Sequence, residues 1–203
     1  MNLEEIYNKL QTYLNQQKIS DQTDHIVVIN TKDKIYYHIA KIVNNNIGDN
    51  LFKPLYWRQQ LAPCKISGID FPQFLGELKI NYVDIGEIFA LFGMIDLNLR
   101  DVPGLGHARI LINDSAKFTT VLDGVLNAKN YVAIAITEEG AGSDLHALET
   151  VAVPVRNGYI LNGRKCFIAR IDEASRFIVF SYVVREKSVK KFTAFLVSKN
   201  QKK

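Results

Sequence analysis

The spacing of apolar residues changes once along this chain, near Asn130. Before that point, apolar residues recur at intervals of three and four, which is typical of amphipathic helices. After it, they alternate with polar residues, which is typical of strands. Helices and strands that are segregated along a sequence favour an α+β fold over a doubly wound sheet. We therefore predict two domains, a helical one over residues 1–130 and an antiparallel β-domain over residues 131–203.

Several stretches of the first domain predict helices from their apolar periodicity. These stretches are residues 3–19, 33–43, 106–112 and 115–126, and the segment that follows the capping residue Asn81. Val83 and five later apolar residues build the expected buried face of the helix after Asn81. Residues 25–29 fit either a helix or a strand. Residues 53–78 contain three prolines and predict an irregular segment.

The second domain contains short segments that are rich in β-branched and aromatic residues. The predicted strands are residues 131–137, 150–155, 159–161, 177–184 and 192–198. Asn157 and Gly158 separate the second strand from the third. This dipeptide readily adopts positive φ, so it predicts a tight hairpin turn.

Charge and cysteine content exclude several classes of protein. The net charge of +4 comes largely from lysines near the C-terminus, and the sequence has no basic stripe interleaved with aromatic residues. We therefore expect no nucleic-acid partner. Cys64 and Cys166 are far apart, which is typical of a reduced, cytoplasmic protein. No apolar run is long enough for a membrane span, and no cluster of residues predicts a metal site.

Residues 136–144, with the sequence Ile-Thr-Glu-Glu-Gly-Ala-Gly-Ser-Asp, are the most informative segment. Small residues let the backbone approach a ligand and turn successive N–H groups into one concavity, which suits a phosphate. Thr137 and Ser143 add hydroxyl groups. An ordinary loop between strands has a similar composition. Gly104 and Gly106 form half of a dinucleotide fingerprint, but no strand precedes them, and they predict the start of a helix.

The segment 136–144 resembles the signature of the acyl-CoA dehydrogenase family, which usually reads Thr-Glu-Pro-x-Ala-Gly-Ser-Asp. Residues 158–165, Gly-Tyr-Ile-Leu-Asn-Gly-Arg-Lys, resemble the hairpin of that family. Residues 166–169 fall where the family has an aromatic residue, Ile, and then Thr or Ser. The resemblance implies that residues 131–199 are the central β-domain of the family and that the helical residues before them are its N-terminal domain.

The resemblance also implies a cofactor, because family members hold FAD against this β-domain and dehydrogenate acyl thioesters between the α and β carbons. The implied FAD-binding residues are Ile136, Thr137, Gly142, Ser143, Phe167 and Ala169. The first two would contact the flavin ring by backbone and hydroxyl, and the glycine and serine would lie at the pyrophosphate. The phenylalanine would pack against the isoalloxazine. Ala169 stands where a hydroxyl group usually faces the flavin.

The sequence also departs from the family pattern. Glu139 replaces the usual proline, and Arg170 and Ile171 replace an Asn-Gly-like pair. The family's C-terminal helical domain carries the catalytic glutamate, and the chain stops at Lys203, before any such domain. We therefore predict no catalytic residue here, since a carboxylate at Glu138 is ordinary family pattern.

The expected function is FAD-dependent dehydrogenation of an acyl-CoA or acyl-carrier-protein thioester, incomplete as a lone chain. It would need the family's C-terminal domain, from a longer parent protein or from a second polypeptide. The expected partners besides the substrate are a second copy in a homo-oligomer or a complementing polypeptide that carries this domain. The alternative is a non-catalytic truncated homologue or partner subunit that acts by binding. A flavin monooxygenase on the same fold would need the same additional domain.

Overall fold

The computed structural model describes residues 3–16, 31–45, 48–71, 80–184 and 190–201. The chain divides into two compact units, Met1–Lys129 and Asn130–Lys203. The ambiguous segment 25–29 lies outside the described residues, as do residues 17–19 at the end of the first predicted helix. Among the described residues, no helix combines the length and the apolar character that a membrane-spanning segment requires.

The described part of the first unit is helical. Its α-helices are α1 (Leu3–Gln16), α2 (Thr31–Asn44), α3 (Pro54–Gln60), α4 (Tyr82–Ile95) and α5 (Ser115–Leu126). Shorter 3₁₀ helices cover Gly48–Phe52, Ala62–Cys64, Ile66–Gly68, Leu97–Asp101 and Gly106–Asp114. The predicted helices at α1, α2, α4 and α5 are confirmed, and the one predicted over 106–112 is a 3₁₀ helix.

Two predictions in the first unit are wrong. The predicted irregular segment 53–78 contains the helix α3 in its described part, residues 53–71, and residues 72–78 lie outside the described residues. Pro54 is the first residue of α3, and a proline there removes no helical hydrogen bond. Val83 is not part of the buried face of α4, since its side chain is 70% exposed.

The core of the first unit surrounds Trp57 of α3. The Trp57 ring meets the Phe92 ring edge to face, with centroids 5.6 Å apart, and both side chains are fully buried. The Trp57 indole donates a hydrogen bond to the Leu51 carbonyl at 2.9 Å, so its polar atom is satisfied. Lys32 of α2 pairs with Asp84 and Glu87 of α4, at 2.8 and 3.1 Å, and joins these two helices at the edge of the core.

Helix α4 begins with a reciprocal cap. The Asn81 side chain accepts a hydrogen bond from the Asp84 backbone N–H at 2.9 Å, and the Asp84 carboxylate accepts one from the Asn81 N–H at 3.4 Å. This capping box satisfies backbone donors that the first helical turn leaves without partners. The sequence therefore located the start of α4 correctly at Asn81.

The second unit is built on a five-stranded mixed sheet. Its strands are β1 (Val132–Ala135), β2 (Val151–Val155), β3 (Gly158–Asn162), β4 (Arg176–Val184) and β5 (Lys190–Ser198). The order is β1-β4-β2-β3, and β5 lies along β4. The α+β class is confirmed. The expectation of a wholly antiparallel sheet is wrong, because β4 runs parallel to both β1 and β2.

The long strand β4 explains this topology. Along β4, Arg176 is in register with Val132 of β1, and Tyr182 is in register with Val151 of β2. The pairs β2–β3 and β4–β5 are antiparallel. The rings of Tyr159 on β3 and Phe195 on β5 meet at 5.0 Å, although these strands are not paired, so the sheet curls.

The hairpin between β2 and β3 forms where the sequence predicts it. Val155 pairs with Gly158, so Arg156 and Asn157 are the two loop residues. Gly158 adopts a φ of +154°, whereas Asn157 does not have positive φ. The expected turn in which Asn157 and Gly158 both adopt positive φ is therefore wrong, although the position of the hairpin is right.

Candidate functional site

The glycine-rich segment begins where β1 ends. Ile136 and Thr137 follow Ala135 directly and are half-buried. The next residues form a tight turn, in which Glu138 and Ala141 exchange backbone hydrogen bonds of 2.9 and 3.2 Å. Glu139 occupies the second position of this turn, which proline favours because its φ is already fixed. The turn accounts for the family's proline at this position.

Gly142 and Ser143 lie exposed on the outer side of that turn. A Cβ atom built on Gly142 would have no heavy atom within 4 Å, so the space beside its backbone is open. Among the described residues, neither backbone N–H forms a hydrogen bond within the protein. The next carboxylate, Asp144, accepts a hydrogen bond from the His146 N–H at 2.9 Å and begins the 3₁₀ helix Leu145–Ala147.

Phe167, the aromatic residue in the motif that resembles the family, lies on the segment after β3. The Phe167 side chain is 91% exposed, and its φ is +54°. Positive φ is uncommon for a bulky residue and indicates that the surroundings hold this backbone in place. Ala169 is exposed two residues further along, and Arg170 also has a positive φ of +63°. The family's Asn-Gly-like pair suits this conformation better than Arg170 does.

Hydrogen bonds join the segment after β1 to the segment after β3. The Cys166 N–H donates to the Thr137 carbonyl at 2.9 Å, and the Lys165 ammonium donates to the Ile136 carbonyl at 2.9 Å. The structure therefore brings Ile136 and Thr137 beside the residue that precedes Phe167. Within the described ranges, no hydrogen bond links Gly142 or Ser143 to the Phe167 segment.

A buried ion pair lies beneath these two segments. The Lys165 ammonium is 2.6 Å from the Glu138 carboxylate, and the two side chains are only 7% and 6% exposed. The Thr150 hydroxyl and the Thr150 N–H also donate to Glu138, as does the Glu149 N–H at 2.6 Å. Sequence reasoning missed this pair. Its signal in the sequence was only a pair of opposite charges, one in each of the two motifs.

The bonds around Glu138 determine its ionisation. Burial alone would raise the pKa of this carboxyl group. Hydrogen bonds from Lys165, from the Thr150 hydroxyl and from two backbone N–H groups outweigh burial and lower the pKa to about 2. Glu138 is therefore ionised at neutral pH and fully occupied by donors, so it is not suited to abstracting a proton from a ligand.

This pKa predicts a specific acid sensitivity. The folded-state pKa lies below the ordinary value of 4.5, so the Glu138 carboxylate stabilises the fold above about pH 4.5, by about 3 kcal/mol. That stabilisation is lost as the pH falls from about 4.5 towards 2. We expect Glu138→Gln to lower the free energy of unfolding at pH 7, and the deficit to shrink as the pH approaches 2. Urea unfolding at a series of pH values measures both effects.

The neighbouring carboxylate provides the control for that experiment. Glu139 is exposed at the tip of the turn, so Glu139→Gln should change the free energy of unfolding by less than about 0.5 kcal/mol throughout. A deficit for Glu138→Gln that is the same at pH 7 and at pH 2 would contradict the assignment.

Metal ligands and cysteine thiols are the other candidate reactive groups among the described residues. In the portions of the chain that the structure covers, no group of three or more His, Cys, Asp or Glu side chains could hold a metal ion. Both cysteines are free. Burial raises the pKa of the Cys64 thiol to about 11, which keeps it protonated and unreactive at neutral pH.

Several known proteins are similar to this chain. Residues 133–203 match the family model described as the acyl-CoA dehydrogenase middle domain. The cyclohex-1-ene-1-carbonyl-CoA dehydrogenase of Syntrophus aciditrophicus is 42% identical over 154 residues, which are 74% of this chain and 35% of that protein. The L-prolyl-[peptidyl-carrier protein] dehydrogenase of a Serratia strain is 36% identical over 78 residues, 38% of this chain and 20% of that protein.

A solved structure gives the corresponding comparison of folds. The glutaryl-CoA dehydrogenase of Mycobacterium smegmatis, crystallised with FADH2, superimposes with a TM-score of 0.66 over 93% of this chain and 48% of its own. Its 16% identity makes this a likeness of fold. The chain spans about a third of the Syntrophus relative and about half of this solved structure. The chain belongs to the acyl-CoA dehydrogenase family, and residues 133–203 correspond to the family's middle domain.

Proposed function

We propose that residues 131–203 bind FAD and that the chain takes part in dehydrogenating an acyl thioester between its α and β carbons. The observation that carries this proposal is the Phe167 ring, which is 91% exposed on a backbone with positive φ beside Thr137. An exposed aromatic ring on a constrained backbone favours a planar aromatic partner, because stacking buries both surfaces. The isoalloxazine of FAD is such a partner.

The remaining residues at the site fit the other parts of FAD. The open space at Gly142 lets a pyrophosphate approach the backbone, and the N–H groups of Gly142 and Ser143 are available to it. The carbonyls of Ile136 and Thr137 already accept bonds from Lys165 and Cys166. The Thr137 hydroxyl is therefore the group that we propose for the flavin ring.

The proposed chemistry divides between the cofactor and the protein. When bound, FAD supplies the acceptor for the β-hydride. Phe167 and Thr137 orient the flavin ring, and the glycine-rich segment holds its phosphates. Glu138 stays ionised in its ion pair and takes no proton. We propose that the base for the α-proton comes from a helical domain outside residues 1–203, on a longer parent protein or on a second polypeptide.

The thioester carrier is a finer part of this proposal. The Syntrophus relative is named as a dehydrogenase of a CoA thioester, and the Serratia relative is named for a prolyl group on a peptidyl-carrier protein. A thioester is the chemistry that the two substrates share. We propose an acyl thioester as the substrate class. An activity test then compares an acyl-CoA with an acyl group carried on an acyl-carrier protein.

A binding role without catalysis is the second candidate, and Ala169 favours it. The acyl-CoA dehydrogenase family usually has a hydroxyl group at this position, facing the flavin. Ala169 cannot donate that hydrogen bond. Such a chain would hold FAD without reacting with a thioester. FAD that binds but is not reduced by either thioester under anaerobic conditions would favour this candidate over the dehydrogenase.

The first test is whether the full chain binds FAD. Isothermal titration calorimetry and the visible absorption spectrum of the flavin measure this binding. We expect Phe167→Ala to weaken FAD affinity about tenfold because the stacking surface is lost. The free energy of unfolding should change by less than about 0.5 kcal/mol, since the ring is exposed. Phe52→Ala removes an exposed ring from the first unit and is the matched control. Absence of FAD binding by the unaltered chain would overturn the proposal.

A further inference from the structure

The two segments proposed to face the flavin are connected below their surface by a small number of bonds. Lys165 donates to the Ile136 carbonyl at 2.9 Å and to the Glu138 carboxylate at 2.6 Å. The Cys166 N–H donates to the Thr137 carbonyl at 2.9 Å. These bonds place the two segments side by side. One segment follows β1 and the other follows β3.

The pair is in turn anchored to β2. The Glu138 carboxylate accepts hydrogen bonds from the Glu149 N–H, the Thr150 N–H and the Thr150 hydroxyl, immediately before β2 begins. The Lys165 ammonium lies 2.6 Å from that carboxylate, and both side chains are almost completely buried. A buried ion pair whose partners are fully hydrogen-bonded holds a fixed geometry.

Phe167 depends on this anchoring more than on its own packing. Its side chain is 91% exposed, so contacts of the ring with the protein do little to fix its position. Its φ of +54° is costly for a bulky residue and persists only when neighbouring bonds impose it. The nearest of those bonds run through Cys166 and Lys165.

We propose that Glu138 and Lys165 are positioning residues for the flavin, which hold Thr137 and Phe167 in one arrangement and take no part in proton transfer. This inference rests on the proposed function, because it assigns a role to groups beneath the FAD site. It predicts that loss of the pair loosens both segments in the free protein and weakens FAD binding. The global stability of the chain and its FAD affinity then respond differently to substitutions at these two positions.

The first experiment needs no FAD. In Lys165→Met, we expect the Cys166 amide to exchange with solvent about tenfold faster, while the amides of β4 and β5 keep their rates. NMR of the uniformly labelled chain measures both. Arg164→Met is the matched control, since Arg164 is the exposed neighbour of Lys165. If the unaltered chain binds no FAD, the proposed function fails, but this exchange rate still decides whether the pair holds the segments.

The second experiment separates positioning from stability. Lys165→Met alone leaves a buried carboxylate without its cation, whereas the double variant Lys165→Met with Glu138→Gln removes both charges. We expect the double variant to regain much of the free energy of unfolding, because an unpaired buried charge costs more than a neutral pair. Its FAD affinity should stay about tenfold weaker than that of the unaltered chain, because the Lys165 bond to Ile136 is still missing.

Two results would overturn the inference. One is a double variant that regains both its stability and its FAD affinity, since the pair would then be structural only. The other is a folded Lys165→Met chain whose Cys166 exchange and FAD affinity are unchanged. Should Lys165→Met not fold, Thr150→Val removes only the hydroxyl donor to Glu138 with little change of shape. The same inference then requires about threefold weaker FAD binding, and unchanged binding would refute it.

Discussion

Replacing Gly163 with alanine is expected to destabilise the second unit by about 3 kcal/mol or more. Gly163 lies directly after β3, and a Cβ atom built on it would be 2.6 Å from the Thr150 Cβ and 2.7 Å from the Thr150 Cα. The second atom belongs to the backbone, so no rotation of a side chain relieves the overlap. Urea unfolding followed by far-ultraviolet circular dichroism measures the loss.

The position of Thr150 makes this overlap especially costly. Thr150 is buried, and both its hydroxyl and its N–H donate to Glu138. A shift that makes room for the new methyl group therefore disturbs the Glu138 carboxylate as well. We expect Gly163→Ala to weaken FAD binding together with stability.

A second glycine provides the comparison for Gly163→Ala. A Cβ atom on Gly140, at the tip of the turn after Glu138, would have no heavy atom within 4 Å. Gly140→Ala should therefore change the free energy of unfolding by less than about 1 kcal/mol, in either direction. Equal losses for the two variants would show that close packing against Thr150 is not the cause.

The helices of the first unit were largely predictable because their signals are local. Asn81 and Asp84 are three residues apart, and they form the capping box that begins α4. The sequence does not predict helix α3, because prolines usually mark a break, whereas Pro54 lies at the first helical position, where a helix tolerates proline. Sequence spacing alone does not distinguish these two uses of proline.

The strands were predictable, but the directions of their pairing were not. The hairpin of β2 and β3 has a local turn, so its antiparallel pairing follows from adjacent residues. Ala133 of β1 pairs in parallel with Phe177 of β4, which lies far along the chain. No nearby residue encodes such a pairing. It depends on how the whole chain packs, and this is why the expectation of an antiparallel sheet was wrong.

The sequence predicts the motifs of the candidate site but not the buried ion pair that holds them together. The glycine-rich segment and Phe167 lie in separate motifs that the sequence shows directly. The pair of Glu138 and Lys165 joins residues 27 positions apart, and burial gives this pair its strength. Burial of a charge is a property of the folded chain, so the sequence offered both residues without indicating that they meet.

In the first unit, a buried arginine supports a loop in a comparable way. The Arg58 side chain, on α3, is fully buried. Its guanidinium donates to the carbonyls of Asp101, Val102 and Gly104, at 2.9, 3.1 and 2.6 Å. Gly104 has a φ of +79°, and a Cβ on it would lie 2.7 Å from Asp70, so the loop is packed tightly as well as hydrogen-bonded.

Arg58→Met is expected to lower the free energy of unfolding by about 3 kcal/mol or more, because it keeps the aliphatic stem and leaves buried carbonyls without donors. The chain has a single tryptophan, Trp57, whose fluorescence during urea unfolding reports on the core beside Arg58. Arg100→Met is the matched control, since Arg100 is half exposed on the neighbouring segment and should cost less than about 0.5 kcal/mol. Similar losses for both variants would mean that charge, and not the satisfied carbonyls, accounts for the effect of Arg58.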